Sequence, residues 1–259
     1  MQLIDTHSHI YLEEFKTDLP EVVSRAKAAG VIKLFLPNID TSTIGSLLDV
    51  TSQYPDYCFP MIGLHPTSVN DTFESELSQM ECLLKDNKSM IAIGEVGMDL
   101  YWDTTFKREQ EIALDKQIQW SLEYKLPLVI HSRNSFNELY TVLKNYSKEP
   151  VSGIFHSFTG SLEEAEHLLE FENFKLGING VVTFKKSELP EVLKQIPIGK
   201  IVLETDSPYL TPVPHRGKRN ESSYIRFTLE KLSEIYQISA EEAAGITTKN
   251  ALKVFKMED

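Results

Sequence analysis

Histidine and carboxylate residues fall at regular places in this sequence. His7, Glu95, His131, His156 and Asp206 each close a short apolar run, and His9 follows His7 by two positions. Neutral imidazole and ionised carboxylate are common donors to divalent cations. A mixed set of this kind suits Zn²⁺ or Mn²⁺, and accepts Mg²⁺ where water completes the coordination. Asp5, His7 and His9 alternate along the chain. If one strand extends through all three they share its inward face, where two adjacent imidazoles can hold one ion. Glu204 and Asp206 have the same spacing, which makes Glu204 a candidate to support the ligands or to hold a further ion. Burying such carboxylates uncompensated is costly, and a divalent cation is the usual compensation. Glu95, on a central strand, can bridge two ions ~3.5–4 Å apart, an arrangement that acidifies a water and clamps a phosphoryl or carbonyl oxygen.

The elements that would carry these residues are legible from periodicity. Short runs at Leu3–His7, Lys33–Pro37, Phe59–Leu64, Met90–Glu95, Pro127–His131, Gly153–His156, Phe174–Asn179 and Lys200–Asp206 are rich in Ile, Leu, Val or Phe, as strands buried on both faces are. Between them the apolar period becomes three and four: Leu19, Val22, Val23 and Ala26 mark one helix face, and Phe136, Leu139, Tyr140 and Leu143 another. Further faces run through Leu189 to Ile196 and Ile225 to Tyr236. Ser161 with Glu164, and Ser239 with Glu242, predict capping boxes, and Pro20 and Gly30 fit the start and stop of one helix. Strands alternating with helices imply parallel pairing through right-handed crossovers. An open doubly wound sheet would place a glycine-rich turn after its first strand. This chain has His-Ser-His there. The expectation is therefore an α/β fold, a (β/α)₈ TIM-type barrel formed by residues 1–259 as a single domain, with an additional C-terminal helix from about Ala240 to Lys256. In such a barrel the strand ends converge on one mouth, where active sites lie.

Composition narrows the function classes. The chain has 259 residues, a hydrophobic fraction of 41% and a formal net charge of −12, enough apolar material for one sizeable core. The acidic balance excludes broad electrostatic attraction to nucleic acid, but not a nuclease with cation concentrated at one mouth. Cys58 and Cys82 lack metal-type spacing and are expected as free thiols in a reducing compartment. No run reaches the ~20 apolar residues of a membrane span, and the N-terminal residues do not resemble a signal peptide. The protein is expected to be cytoplasmic and monomeric. His167, within an amphipathic stretch, is expected on the surface.

Taken together, these motifs resemble the TatD family of metal-dependent deoxyribonucleases, a branch of the amidohydrolase superfamily. DTHSHI (5–10), GLHP (63–66), GEVGMDLYW (94–102), IHSR (130–133), FHSFTG (155–160), LETDSPYL (203–210) and HRGKRN (215–220) follow in the family's order along the whole chain. The resemblance implies one divalent cation on His7, His9, Glu95 and Asp206, and a second on Glu95, His131 and His156. It implies phosphodiester hydrolysis of DNA, single strands or ends, by a metal-activated water that Asp206 orients or deprotonates, with Glu95 and Asp206 as the catalytic carboxylates. Asn220-Glu221-Ser222 departs from the family's usual Asn-Glu-Pro, where a helix begins, and more plausibly alters a turn than the chemistry. Arg133, Arg216, Lys218 and Arg219 are candidate phosphate contacts. His65 is a candidate to bind substrate phosphate or to hydrogen-bond the nucleophile, and Tyr209 or Trp102 could stack a base. Two rivals stand beside this reading. An amidohydrolase acting on an amide, lactone or nucleobase could use the same metal site, although many such barrels place a carboxylated lysine where Glu95 stands. A non-catalytic barrel is the other, and an intact ligand set weighs against it.

Overall fold

Runs of four to seven apolar residues are too short for buried helices and pair instead as strands, while the amphipathic segments between them fold back over the outside. The computed structural model describes residues 1–257. It runs β1 (Leu3–Asp5), α1 (Leu19–Ala28), β2 (Val31–Leu36), α2 (Ile44–Gln53), β3 (Cys58–Pro60), α3 (Phe73–Asp86), β4 (Ile93–Asp99) and α4 (Lys107–Tyr124). There follow β5 (Leu128–Arg133), α5 (Phe136–Lys144), β6 (Gly153–Phe155), α6 (Leu162–Leu169), β7 (Phe174–Ile178), α7 (Leu189–Leu193), β8 (Ile201–Leu203), α8 (Ile225–Tyr236) and α9 (Ala240–Val254).

All strand pairings are parallel and sequential, in two arcs ordered β1-β2-β3 and β4-β5-β6-β7-β8. Isolated parallel bridges, Ile62 with Ile93 and Ser8 with Ser207, join the arcs into a closed ring. At the β1–β8 seam Thr6 N–H donates to Leu203 O at 3.1 Å and Asp206 N–H to His7 O at 2.9 Å. This is the expected TIM-type barrel. The barrel interior is filled by Ile4, Phe35, Met61, Ala92, Val129, Ile154 and Val202, and Ala251, Val254 and Phe255 of α9 pack against that cluster. The additional helix thus plugs the bottom. A second, larger apolar layer lies between the strands and the surrounding helices.

Several strands stop earlier than their apolar runs suggest. The β1 ladder ends at Asp5 and that of β8 at Leu203, so His7, His9, Glu204 and Asp206 sit on chain that has left the regular ladder. Asp206 itself adopts φ 56°, a left-handed conformation uncommon for a residue with a side chain. Asp5 does not join His7 and His9 in the mouth. It is fully buried in the seam, where Thr205 N–H donates to its Oδ1 at 2.9 Å and Thr205 Oγ1 to its Oδ2 at 2.6 Å. The capping box of Ser161 and Glu164 is complete, whereas Ser239 shows the half in which its hydroxyl accepts from Glu242 N–H. His167 is partly buried and packs against Tyr140 rather than standing free on the surface.

Asp5 therefore ties the first strand to the last. Asp5→Ala leaves the buried Thr205 amide without an acceptor and the Thr205 hydroxyl with only Ser207 Oγ at 3.1 Å, a loss of about 1–3 kcal/mol. At roughly 2–4 °C per kcal/mol for a chain of this size, the thermal midpoint falls measurably. Asp5→Asn keeps one acceptor and loses less. An unchanged midpoint in Asp5→Ala would remove the seam role.

Candidate metal centre

Glu95 reaches the mouth because β4 contains an extra residue. Between Ile93 and Val96 the chain advances three positions while β5 advances two, from Leu128 to Ile130. A bulge of this kind reverses the alternation of side chains beyond it. Ala92 faces the barrel interior, and with the parity shifted Glu95, three residues on, faces it as well. His131 and His156 follow Val129 and Ile154 by two on β5 and at the end of β6, and so share the inward face directly.

The buried donor atoms converge. His7 Nε2 lies 3.1 Å from both His9 Nε2 and Glu95 Oε2, and 3.7 Å from Asp206 Oδ1. His9 Nε2 is 3.6 Å from each of the same carboxylate oxygens. Ligands on one ion at bonds of ~2.0–2.1 Å are ~3.0–3.4 Å apart in octahedral or tetrahedral arrangements, so this quartet is spaced as a cation would require. The proton positions agree. Tyr11 Oη donates to Pro37 O at 2.5 Å and so accepts from His9 Nδ1 at 3.0 Å, which leaves His9 Nε2 bare. His131 Nε2 lies 2.9 Å from Asp99 Oδ2, which leaves Nδ1 facing Glu95 Oε1 at 3.0 Å. Bare nitrogens aimed at carboxylate oxygens in a dry site are relieved by a cation between them. The residues present fit a divalent ion.

Burial favours the neutral form of Glu95, but His65, His7, His156 and His131 outweigh it and hold the carboxylate well below its usual value. Asp206 is likewise lowered against burial by His156, His9 and His7. Burial lowers His7 to about 4. His156 goes the other way: burial opposes its charge, yet Glu204, Glu95 and Asp206 push it up to about 10. His131 is raised against burial by Asp99 and Glu95. Without a cation, then, the proton held on His156 faces these carboxylates.

The second ligand set implied by the motifs is gathered only in part. His156 Nε2 is 3.8 Å from Glu95 Oε1 and 3.7 Å from Asp206 Oδ1, and its ring stacks on that of His7. Among the described residues the compact groups are His7, His9 and Glu95; His7, His156 and Asp206; and His65, Glu95 and His131. Glu204 is not a ligand in this arrangement. It sits behind His156, its Oε1 3.0 Å from His156 Nδ1 and 2.6 Å from the donating Ser157 N–H, with Oε2 buried and unpartnered. Gly177 makes room for it, since a Cβ there would lie 2.3 Å from Glu204 Oε2. Asp99 plays the matching part behind His131. Sequence reasoning passed over Asp99, although it stands four residues after Glu95 on the same strand.

The mouth is a cavity of about 640 Å³ lined by His65, Arg133, Trp102 and Tyr209 among others, and it meets a second cleft of about 600 Å³ at Ser132, Arg133, His156, Ser157 and Thr159. Trp102 is 70% and Tyr209 50% exposed, with the Arg133 guanidinium 5.0 Å over the Trp102 ring. The Arg133 guanidinium lies 3.8 Å over the Tyr101 ring. The basic loop is aimed elsewhere. Arg216 stacks 3.7 Å over Phe184 and is not among the residues lining the mouth. Arg219 pairs with Asp18 at 2.8 and 2.7 Å, and Lys218 is exposed. Glu221, in the Asn-Glu-Ser segment, pairs with Arg25 at 2.6 Å, and Ser222 Oγ lies 3.3 Å from Ser8 Oγ. These contacts tie the segment to α1 and to the chain after β1.

Two outcomes follow from this geometry. Gly177→Ala and Glu204→Gln each loosen His156 and weaken divalent-ion binding about 10–100-fold in a competition titration. Unaltered affinity in both would separate Glu204 from the site. Because His156, pushed up to about 10, holds a proton that a cation would displace, observed affinity climbs as pH rises from about 6 to 8, by roughly tenfold per unit for one proton released. A pH-independent affinity would contradict the proton assignment.

The sequence profile of TatD related DNase matches residues 4–256. An uncharacterized metal-dependent hydrolase of Bacillus subtilis, YabD, is 40% identical, covering 98% of this chain and 99% of its own. YcfH of Escherichia coli K12, also named an uncharacterized metal-dependent hydrolase, is 30% identical over 100% of this chain and 97% of its own. The crystal structure of YjjV, a TatD homolog from Escherichia coli K12, superposes with a TM-score of 0.88 at 28% identity, covering 98% of each chain. With a matching profile over nearly its whole length and the ligand residues gathered at the mouth, the chain belongs to the TatD family of metal-dependent hydrolases.

Proposed function

We propose that this hydrolase is a deoxyribonuclease that cleaves phosphodiester bonds in DNA, single strands or exposed ends, using two divalent cations held by His7, His9, Glu95, His131, His156 and Asp206. The observation that carries this reading is the mouth itself. A buried cluster of imidazoles and carboxylates lies at its floor, with a guanidinium and two exposed aromatic faces, Arg133, Trp102 and Tyr209, at its rim. Phosphate charge is met by cation and guanidinium, while aromatic faces stack bases without regard to sequence. The adjoining cleft gives a polymer room on a second side of the scissile bond.

When bound, the ions supply a water acidified to near-neutral pKa and neutralise charge that builds on the phosphoryl oxygens. The chain's own residues divide the remaining work. Asp206 is kept ionised by its imidazole neighbours against burial, so its carboxylate can accept a proton from a nearby water. Glu95 presents one oxygen to His7 and His9 and the other to His131. Asp99 and Glu204 hold His131 and His156 from behind. Arg133, lined up against Tyr101, gives the strand a fixed positive contact.

The test uses purified protein with end-labelled single-stranded DNA, with EDTA or with added Mg²⁺, Mn²⁺ or Zn²⁺. Metal-dependent shortening of the label is expected. Glu95→Ala and Asp206→Ala each reduce turnover to background while far-UV circular dichroism stays native. Near-native rates in either would sink the mechanism. Absence of digestion with every metal, alongside hydrolysis of an amide or lactone panel, would replace the substrate class.

A further inference from the structure

We infer that His65 is a hydrogen-bond donor to the substrate's phosphoryl oxygen and not a metal ligand, because the turn it caps already occupies its other ring nitrogen. Proximity alone suggests the opposite. His65 Nε2 lies 3.3 Å from Glu95 Oε1, and His65, Glu95 and His131 form one of the groups compact enough to hold an ion. The far side of the ring decides the matter. His65 is the N-cap of the short turn Pro66–Ser68, and Thr67 backbone N–H donates to its Nδ1 at 3.1 Å. A backbone amide can only donate, so Nδ1 carries a lone pair there. Thr67 Oγ1, 2.7 Å away, approaches the same atom.

In a neutral imidazole with Nδ1 bare, the proton sits on Nε2, the nitrogen facing the mouth. A nitrogen that bears its proton has no lone pair to give a cation. The neighbouring imidazoles are arranged in the reverse sense: the protons of His9 and His131 point outward to Tyr11 and Asp99, and their bare nitrogens point inward. The backbone secures the ring as well, since His65 N–H donates to Ile39 O at 2.7 Å. His65 therefore presents an inward-facing N–H on a ring fixed at both ends of the residue, beside the carboxylate oxygen at the centre of the site.

Such a donor, pre-aimed in a dry site, stabilises charge that grows on an oxygen during reaction. The role rests on the phosphodiester reading above, and the ring's proton assignment does not. His65→Asn is the informative variant, because asparagine is a good N-cap and retains an acceptor for Thr67 N–H while removing the Nε2 donor. His65→Gln restores an amide N–H near the lost position. In ¹⁵N-histidine-labelled protein, long-range ¹H–¹⁵N spectra are expected to show His65 as the Nε2–H tautomer both without metal and with Zn²⁺. His65→Asn is expected to keep the parent's Zn²⁺ content and thermal midpoint, to bind inorganic phosphate about tenfold more weakly when Zn²⁺-loaded, and to lose about 10²–10³ in turnover, with partial recovery in His65→Gln. An Nδ1–H tautomer, loss of an equivalent of Zn²⁺ in His65→Asn, or unchanged phosphate binding would each overturn the inference. Weakened phosphate binding in His65→Asn, with a parent that cleaves no DNA, would instead remove the DNA reading and leave the donor in place.

Discussion

Glu95 is 2% exposed, and imidazole nitrogens of His7, His9, His65, His131 and His156 surround its two oxygens at 3.0 to 3.8 Å. A divalent cation is the usual compensation for so crowded a buried anionic site, and the carboxylate is the point at which the strand ends carrying these imidazoles meet. Its position depends on one extra residue in β4. Without the bulge, the side chain at 95 would fall on the outer face with Val96 taking its place, and the imidazoles would enclose an empty apolar space. The chemistry of the site thus hangs on a local irregularity in the hydrogen-bond ladder rather than on any unusual residue.

The barrel was legible in the sequence because its strands are buried on both faces and its helices on one, so that two distinct periodicities alternate along the chain. The convergence of His7, Glu95, His131, His156 and Asp206 at one mouth was legible for a related reason: a histidine or carboxylate that closes an apolar run stands out. What sequence could not give is what depends on contacts across the ring. Asp99 reads as one more acid after a glycine until Gly97 is seen opposite His131 and Asp99 opposite Arg133. Gly177 has no visible purpose until Glu204, just past the end of the neighbouring β8, needs the space of its missing Cβ. Asp5 belongs by spacing with His7 and His9, yet the closing of the seam claims it for Thr205.

The basic loop illustrates a different limit. Local charge suggested that Arg216, Lys218 and Arg219 meet phosphate, but Arg219 is taken by Asp18 and Arg216 by the face of Phe184. Asp18 lies 201 residues earlier in the chain, so nothing near the loop reveals the partner. Arg25 with Glu221 completes the same arrangement. These pairs fasten the long segment after β8 onto α1, at the flank of the barrel, whereas Arg133, two residues beyond His131, lines the mouth.

The plug formed by α9 has a consequence for traffic. Ala251, Val254 and Phe255 meet Ile4, Phe35 and Val202 with almost no exposed surface. Among the described residues this apolar column closes the end of the ring opposite the histidine and carboxylate cluster. The cluster opens instead into the cavity at the strand ends, so whatever enters that cavity and settles deepest lies beneath anything that follows it in.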